Sequence, residues 1–182
     1  EKDSPEEKQY YRKAEPHAEK AVFVSAEPRE NWYQVYLSIL LFDDRYEESV
    51  PILEAMTYRF PEKKNYYRQL AALYAELKRE EDSFYVQQIM HSKDMLEKHD
   101  ELLRIAQLYM FYEVPYKAAL ILEKELEGGR IKDEEKNWEQ LANAWLSARE
   151  WKKAIPPLRK AAELSEDGEL FLRLGQTFMQ EE

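Results

Sequence analysis

Apolar residues come in short bursts at helical spacing along this chain, and each burst is followed, after a polar turn, by another. The clearest stretch runs from Trp138 to Glu163. Trp138, Leu141, Ala142 and Trp145 stand at offsets 0, 3, 4 and 7, one face of a helix. Ala154, Leu158 and Ala161 stand at offsets 0, 4 and 7 and mark one face of a second helix. Isolated helices of this length are marginal in water, so each needs a neighbour to cover its apolar face. The pattern predicts a helix pair inside a larger stack.

The same pattern returns along the chain. About 36 residues upstream it reads Leu102, Ile105, Ala106, Tyr109, Ala118 and Leu122. About 35 further back it reads Tyr67, Leu70, Ala71, Tyr74, Ser83 and Met90. About 34 before that it reads Tyr33, Tyr36, Leu37, Leu40, Ser49, Leu53 and Met56. About 33 downstream of Trp138 stand Phe171, Leu174, Gly175 and Phe178. A fixed period of this size marks an α-solenoid of stacked helix pairs. A second signal keeps the register: Trp151, Ala154 and Pro156 align with Tyr46, Ser49 and Pro51, and with Tyr11, Ala14 and Pro16. Residues 10–26 are therefore expected to be the second helix of a repeat whose first helix is missing or shortened, with Ser4-Pro5-Glu6-Glu7 as its capped start.

The expected organisation is one all-α domain over residues 1–182. It has a half-repeat at about 10–26, four helix pairs at about 30–63, 64–98, 99–134 and 135–167, and a half-repeat at about 168–182. Arrays of this kind normally end in polar caps, so the chain is expected to be a segment of a longer array. Pro16, Pro51, Pro156 and Pro157 fall inside second helices by periodicity. An interior proline removes a hydrogen bond and crowds the preceding turn. A delayed helix start or a bend is expected at each. Pro115 suits a first turn, and Gly128-Gly129 suits a helix end. Gln87 and Glu125 break the pattern, standing where a bulky apolar and a small residue are expected.

Composition agrees with helices. The chain has 182 residues, 44% of them hydrophobic and 35% charged, with only 4 Gly. The net charge of −10 disfavours nucleic acid and anionic lipid as partners. The absence of cysteine removes disulfides, thiolate catalysis and cysteine-ligated zinc. The opening EKDSPEEKQYY shows neither a basic region nor an apolar stretch of the signal-peptide kind. No apolar run approaches the roughly 20 residues of a membrane span.

Candidate chemistry is sparse. His17, His91 and His99 lack the three- or four-residue spacing of helical metal ligands and read as surface or loop histidines. Asp43-Asp44 and Glu80-Glu81-Asp82 fall at turns, where acidic residues favour the next helix N-terminus. No nucleophile elbow, phosphate loop or dinucleotide fingerprint occurs. No enzyme activity, cofactor or metal is expected. The aromatics Tyr33, Tyr36, Tyr67, Tyr74, Tyr109, Trp138, Trp145, Phe171 and Phe178 hold helix-packing positions and are assigned to the core.

The recurring set resembles the tetratricopeptide repeat family, across nearly the whole chain, with Trp138–Ala161 as its strongest copy. That resemblance implies a right-handed α-α superhelix whose first helices line the concave side. By register the lining comprises Gln34, Ser38 and Leu41; Arg68 and Ala72; Leu103, Gln107 and Met110; and Glu139, Asn143 and Leu146. These are the candidate partner-binding residues. Their mixture of apolar and amide side chains suits an extended segment or an amphipathic helix. More narrowly, the runs NWYQVYLSILLFDDRYEESVPILEAM, QLYMFYEVPYKAALILEKELEGGRI and WLSAREWKKAIPPLRKAAELSEDGELFLRLGQ are similar to the tetratricopeptide proteins that accompany TonB–ExbB–ExbD systems of Gram-negative bacteria. This implies a periplasmic location, an accessory role in TonB-dependent transport, and TonB, ExbB or ExbD as partners. The alternative is a cytoplasmic, co-chaperone-like or regulatory adaptor that binds a peptide segment. Self-association through the end faces, residues 14–23 and 171–178, is the other expected contact.

Overall fold

The computed structural model describes residues 5–165 and 168–180, with side chains from residue 9 onward. Among the described residues it contains ten α-helices and no strand. They are α1 Pro5–Val24, α2 Glu30–Phe42, α3 Tyr46–Arg59, α4 Lys64–Glu76 and α5 Glu80–Ser92. Then follow α6 His99–Phe111, α7 Pro115–Glu127, α8 Glu135–Ser147, α9 Trp151–Leu164 and α10 Gly168–Met179. The fold is an all-α helical repeat. Two compact units divide it, Glu1–Met90 and His91–Glu182.

Each tight turn inside a pair uses the same backbone device. Asp44, Lys78, Glu113 and Arg149 all take positive φ, between 55° and 60°. Around the last of them, the Glu150 amide donates to the Trp145 carbonyl at 2.9 Å and the Arg149 amide to the Leu146 carbonyl at 2.9 Å. Arg45, Arg79 and Val114 repeat the first bond and Asp44, Lys78 and Glu113 the second. This crossed pair satisfies the orphan carbonyls of a helix end and reverses the chain within three residues. Glycine usually fills the left-handed position; here side-chain-bearing residues do, at a local cost of roughly 1–2 kcal/mol each. That is how a chain with 4 glycines makes four such turns.

The prolines do not delay the helices. α3 begins at Tyr46 and α9 at Trp151, so Pro51, Pro156 and Pro157 lie in the second turn and the helices continue through them. Each removes one backbone hydrogen bond near the helix N-terminus. Pro16 lies mid-way in α1, a 20-residue helix that starts before the expected boundary at residue 10. The expected cap at Ser4 lies outside the described residues. Pro115 takes the first turn of α7, and Gly128 caps that helix with Gly129 at φ 72°.

Cores form where the apolar faces meet. In the first unit Tyr33, Tyr36, Leu40, Leu53, Met56, Tyr67, Leu70 and Tyr74 are buried. In the second unit Leu102, Ile105, Leu122, Leu141, Ala142, Trp145, Ala154, Leu158 and Ala161 are buried. Phe171 and Phe178 depart from their core assignment: they are 53% and 43% exposed, because no described helix covers that face of α10. Trp138 is half-buried, its indole N–H donating to Asp133 at 2.5 Å.

Glu125, the residue that breaks the small-residue pattern, is 1% exposed. A carboxylate there requires a partner, and Arg130 supplies a fork: Nε to Oε2 at 2.5 Å and Nη2 to Oε1 at 2.7 Å. The third nitrogen, Nη1, holds Asp94 at 2.9 Å. These bonds push the Arg130 pKa upward and Asp94 downward. The pattern break is thus the anchor that ties two loops of the second unit to α7.

Candidate functional site

The candidate residues stand on α2, α4, α6 and α8, and the structure gives them unequal circumstances. In the first unit Gln34 is committed: its Nε2 donates to the Tyr66 hydroxyl at 2.8 Å, and that hydroxyl donates to the Glu30 carboxylate. Burial, followed by this carboxylate, raises the Tyr66 pKa. Ser38 donates to the Val35 carbonyl of its own helix at 2.8 Å. Leu41 is half-buried, and Arg68 and Ala72 are exposed on α4.

In the second unit the residues converge. A hollow of about 300 Å³ is lined by Ala106, Gln107 and Met110 of α6, Leu122 of α7, and Gln140 and Asn143 of α8. Gln107, Met110 and Asn143 are three of the sequence-derived candidates. Leu122 and Ala106 are buried side chains, so they form its floor. Gln107 Nε2 faces Gln140 Oε1 at 3.5 Å, the outer limit of a hydrogen bond, so both amides keep capacity for another partner. Leu103 and Leu146 are half-buried on the same two helices but do not line the hollow.

Glu139 and Asn143 are bridged by Arg173 of α10. Its Nη1 donates to Glu139 at 2.5 Å and its Nη2 donates to the Asn143 side-chain oxygen. Glu139 is therefore spent within the fold. Asn143 has its oxygen held and its side-chain N–H groups directed by that bond, beside the hollow. Arg173, Gln140, Ala106 and Leu122 were missed as site residues. Gln140 follows a candidate directly and could have been found by widening the register by one. Arg173 becomes relevant only through its reach across helices.

His17 is exposed on α1, whereas His91 and His99 hold structural places. His91 is half-buried, and that burial lowers its pKa against the opposing pull of Glu125. His99 Nδ1 accepts the Lys132 backbone N–H at 3.3 Å. Among the described residues no group of three or more His, Cys, Asp or Glu is placed to hold a metal ion. Nor is any described helix long and apolar enough to cross a membrane.

No family model and no curated protein matches this sequence. Solved structures do resemble it. YrrB, described as a TPR protein with an unusual peptide-binding site, superposes with a TM-score of 0.54 over 96% of this chain and 84% of its own, at 12% identity. MamA from Desulfovibrio magneticus RS-1 gives 0.49 over 83% and 84%, at 15% identity. TTC0263, a thermophilic TPR protein of Thermus thermophilus, gives 0.42 over 94% and 92%, at 17% identity. The likeness to YrrB is one of fold, and it agrees with the all-α helical repeat described above.

Proposed function

We propose that this chain is a non-catalytic scaffold of the cell envelope that holds an extended segment of a partner protein on the face shared by α6 and α8. We further propose a periplasmic place beside a TonB system, with TonB, ExbB or ExbD as the partner. The observation that carries the binding reading is the hollow between Gln107, Gln140 and Asn143. A side-chain amide offers a donor and an acceptor in one plane, the same pair a peptide bond presents. Met110 and Leu122 supply an adaptable apolar floor for a partner side chain. The peptide-binding site named for YrrB, a protein of the same fold, supports this use of the fold. The envelope and TonB assignment is supported by the three sequence runs that are similar to TonB-associated tetratricopeptide proteins.

A cytoplasmic adaptor gripping a C-terminal carboxylate needs several cations at the groove. Arg173, which reaches Asn143, is bonded to Glu139 as well. That arrangement favours a backbone-reading groove over a carboxylate clamp.

The test is a photo-crosslinker in place of Met110, activated in envelope extract, with the adducts sequenced by mass spectrometry. The expected adducts contain TonB, ExbB or ExbD, and Gln107→Trp, which fills the hollow from an exposed position, weakens them at least tenfold. The same adducts from a crosslinker at Tyr58, 87% exposed and in the other unit, would sink the reading. Tight, carboxylate-dependent binding of acidic C-terminal peptides would replace it with the adaptor.

A further inference from the structure

The contact that joins α6 to α8 at the hollow is repeated between α8 and α10 with one change of chemistry. Gln107 stands five residues after Leu102, and Asn143 five after Trp138. Gln140 stands two after Trp138, and Arg173 two after Phe171. Gln107–Gln140 and Asn143–Arg173 are therefore the same pair of positions, one repeat apart. The first pair meets amide to amide at 3.5 Å. The second is a charge-assisted bond from the Arg173 guanidinium to the Asn143 side-chain oxygen. Glu139 accepts from the same guanidinium at 2.5 Å.

That change decides orientation. Two amides can exchange roles by turning over, because each carries donors and an acceptor. A guanidinium carries donors only. Arg173 therefore holds the Asn143 oxygen and leaves its NH2 group as the part of that amide open to a partner. Among the described residues this NH2 group makes no hydrogen bond. Polarisation by the guanidinium strengthens it as a donor. Glu139 balances the cation, so Arg173 adds direction to the site rather than net charge.

We propose that Arg173 is the positioning residue of the α6–α8 site. By fixing Asn143 as a donor, it makes this edge of the hollow select a carbonyl acceptor on the partner's backbone. The proposal rests on the reading that the hollow holds a partner segment. Gln107 and Gln140, held loosely by each other, supply the adjustable side of the same site.

Two measurements keep the proposal separate from that reading. The first uses the intact chain without a partner: side-chain amide order parameters from nitrogen relaxation. The Asn143 NH2 signals are identified by their loss in Asn143→Asp. They should be as rigid as those of Asn137, whose Nδ2 donates to the Lys132 carbonyl at 2.9 Å. Arg173→Met should set the Asn143 amide moving and leave Asn137 rigid, whereas Arg173→Lys, still a pure donor, should keep both ordered. An Asn143 amide equally rigid in Arg173→Met overturns the proposal, whether or not a partner is found.

The second is the yield of TonB, ExbB or ExbD adducts from the crosslinker at Met110. Asn143→Asp keeps the bond to Arg173 but removes the donors, so the yield should fall about tenfold with no loss of thermal stability. Arg173→Met should lower it similarly, and Arg173→Lys should recover it in part. Glu139→Gln leaves the Arg173–Asn143 bond and should stay near wild type. A wild-type yield in Asn143→Asp or Arg173→Met overturns the proposal and leaves the binding reading standing. An equal loss in Glu139→Gln also overturns it, since Arg173 would then act as an ionic clamp on α10. If the wild-type chain gives no such adducts, the binding reading falls and the amide dynamics decide whether Arg173 positions Asn143.

Discussion

Five tyrosines, Tyr33, Tyr36, Tyr66, Tyr67 and Tyr74, lie at the helix contacts of the first unit, each no more than 5% exposed. Between α8 and α9 of the second unit Ala142 packs with Leu158, Ala161 and Ala162, and Ala144, Trp145 and Ala154 are fully buried on the same two helices. The difference reaches the candidate site. A buried phenol needs a partner for its hydroxyl, and the first unit recruits them widely. Tyr66 takes Glu30 and Gln34, Tyr74 takes Glu54 at 2.5 Å, and Tyr67 takes the Thr57 carbonyl at 3.2 Å. Gln34 is thereby withdrawn from binding. The α8–α9 core carries one such group, the Trp145 indole N–H, which is buried with no hydrogen-bond partner among the described residues, and on α6 and α8 the amides of Gln107, Gln140 and Asn143 remain at a hollow. Glu125 is the costly charge in the interior of the second unit, and one arginine satisfies it.

The strongest way to break this contrast is Trp145→Ala. Trp145 is fully buried, so truncating it leaves a cavity, and the expected loss is about 3–5 kcal/mol. Chemical denaturation reads the loss. Hydrogen exchange should place the lost protection in α7, α8 and α9, while α2–α4 stay protected. Uniform loss through both units would show that the two cores do not act separately.

Arg130→Leu comes next. It leaves the buried Glu125 carboxylate with only the Lys124 ammonium, 3.8 Å away, and the expected cost is about 3 kcal/mol, the low end for a broken buried pair because Arg130 is itself 31% exposed. The double variant Glu125→Leu with Arg130→Leu should regain most of that loss, since an apolar pair of similar volume avoids the desolvation cost. If the double variant is as unstable as the single one, the pair does more than neutralise a buried charge.

The smallest effect is expected from Tyr74→Phe. It removes the hydroxyl bond to Glu54 and leaves the ring in place, for about 1 kcal/mol in a denaturation series. Burial, with Glu54 second, holds the Tyr74 pKa above its ordinary value. The hydroxyl therefore remains a donor at all ordinary pH, and this cost should not vary between neutral and mildly alkaline solution. A cost near zero would mean that the tyrosine hydroxyls of the first unit are passengers, and the contrast with the alanine core would shrink to size alone.

Much of the architecture was legible in the order of residues. Apolar periodicity is a local property, and a face of Trp138, Leu141, Ala142 and Trp145 points to a helix with one buried side whatever surrounds it. Pro115 and Gly128 signal a start and an end for similar local reasons. The second-turn prolines were harder. Whether Pro51 or Pro156 delays a helix depends on where the preceding turn closes, and a left-handed Asp44 or Arg149 closes it early. Nothing in an aspartate or an arginine announces a positive φ; the position becomes recognisable only when the crossed hydrogen bonds are seen.

The candidate lining shows the same limit from the side of function. Register places Gln34, Gln107 and Asn143 on comparable surfaces, yet it says nothing of which neighbour reaches them. Tyr66 claims Gln34, Arg173 claims Glu139 and shares Asn143, and Gln107 stays beside a hollow. Repetition alone is enough to read the helices, their pairing and the all-α repeat, because burial of an amphipathic face leaves few other solutions. The fates of individual polar side chains were settled by the stacking. A hydrogen bond forms or fails within a few tenths of an ångström, and residues far apart in sequence come within that margin only when the helices that carry them are packed.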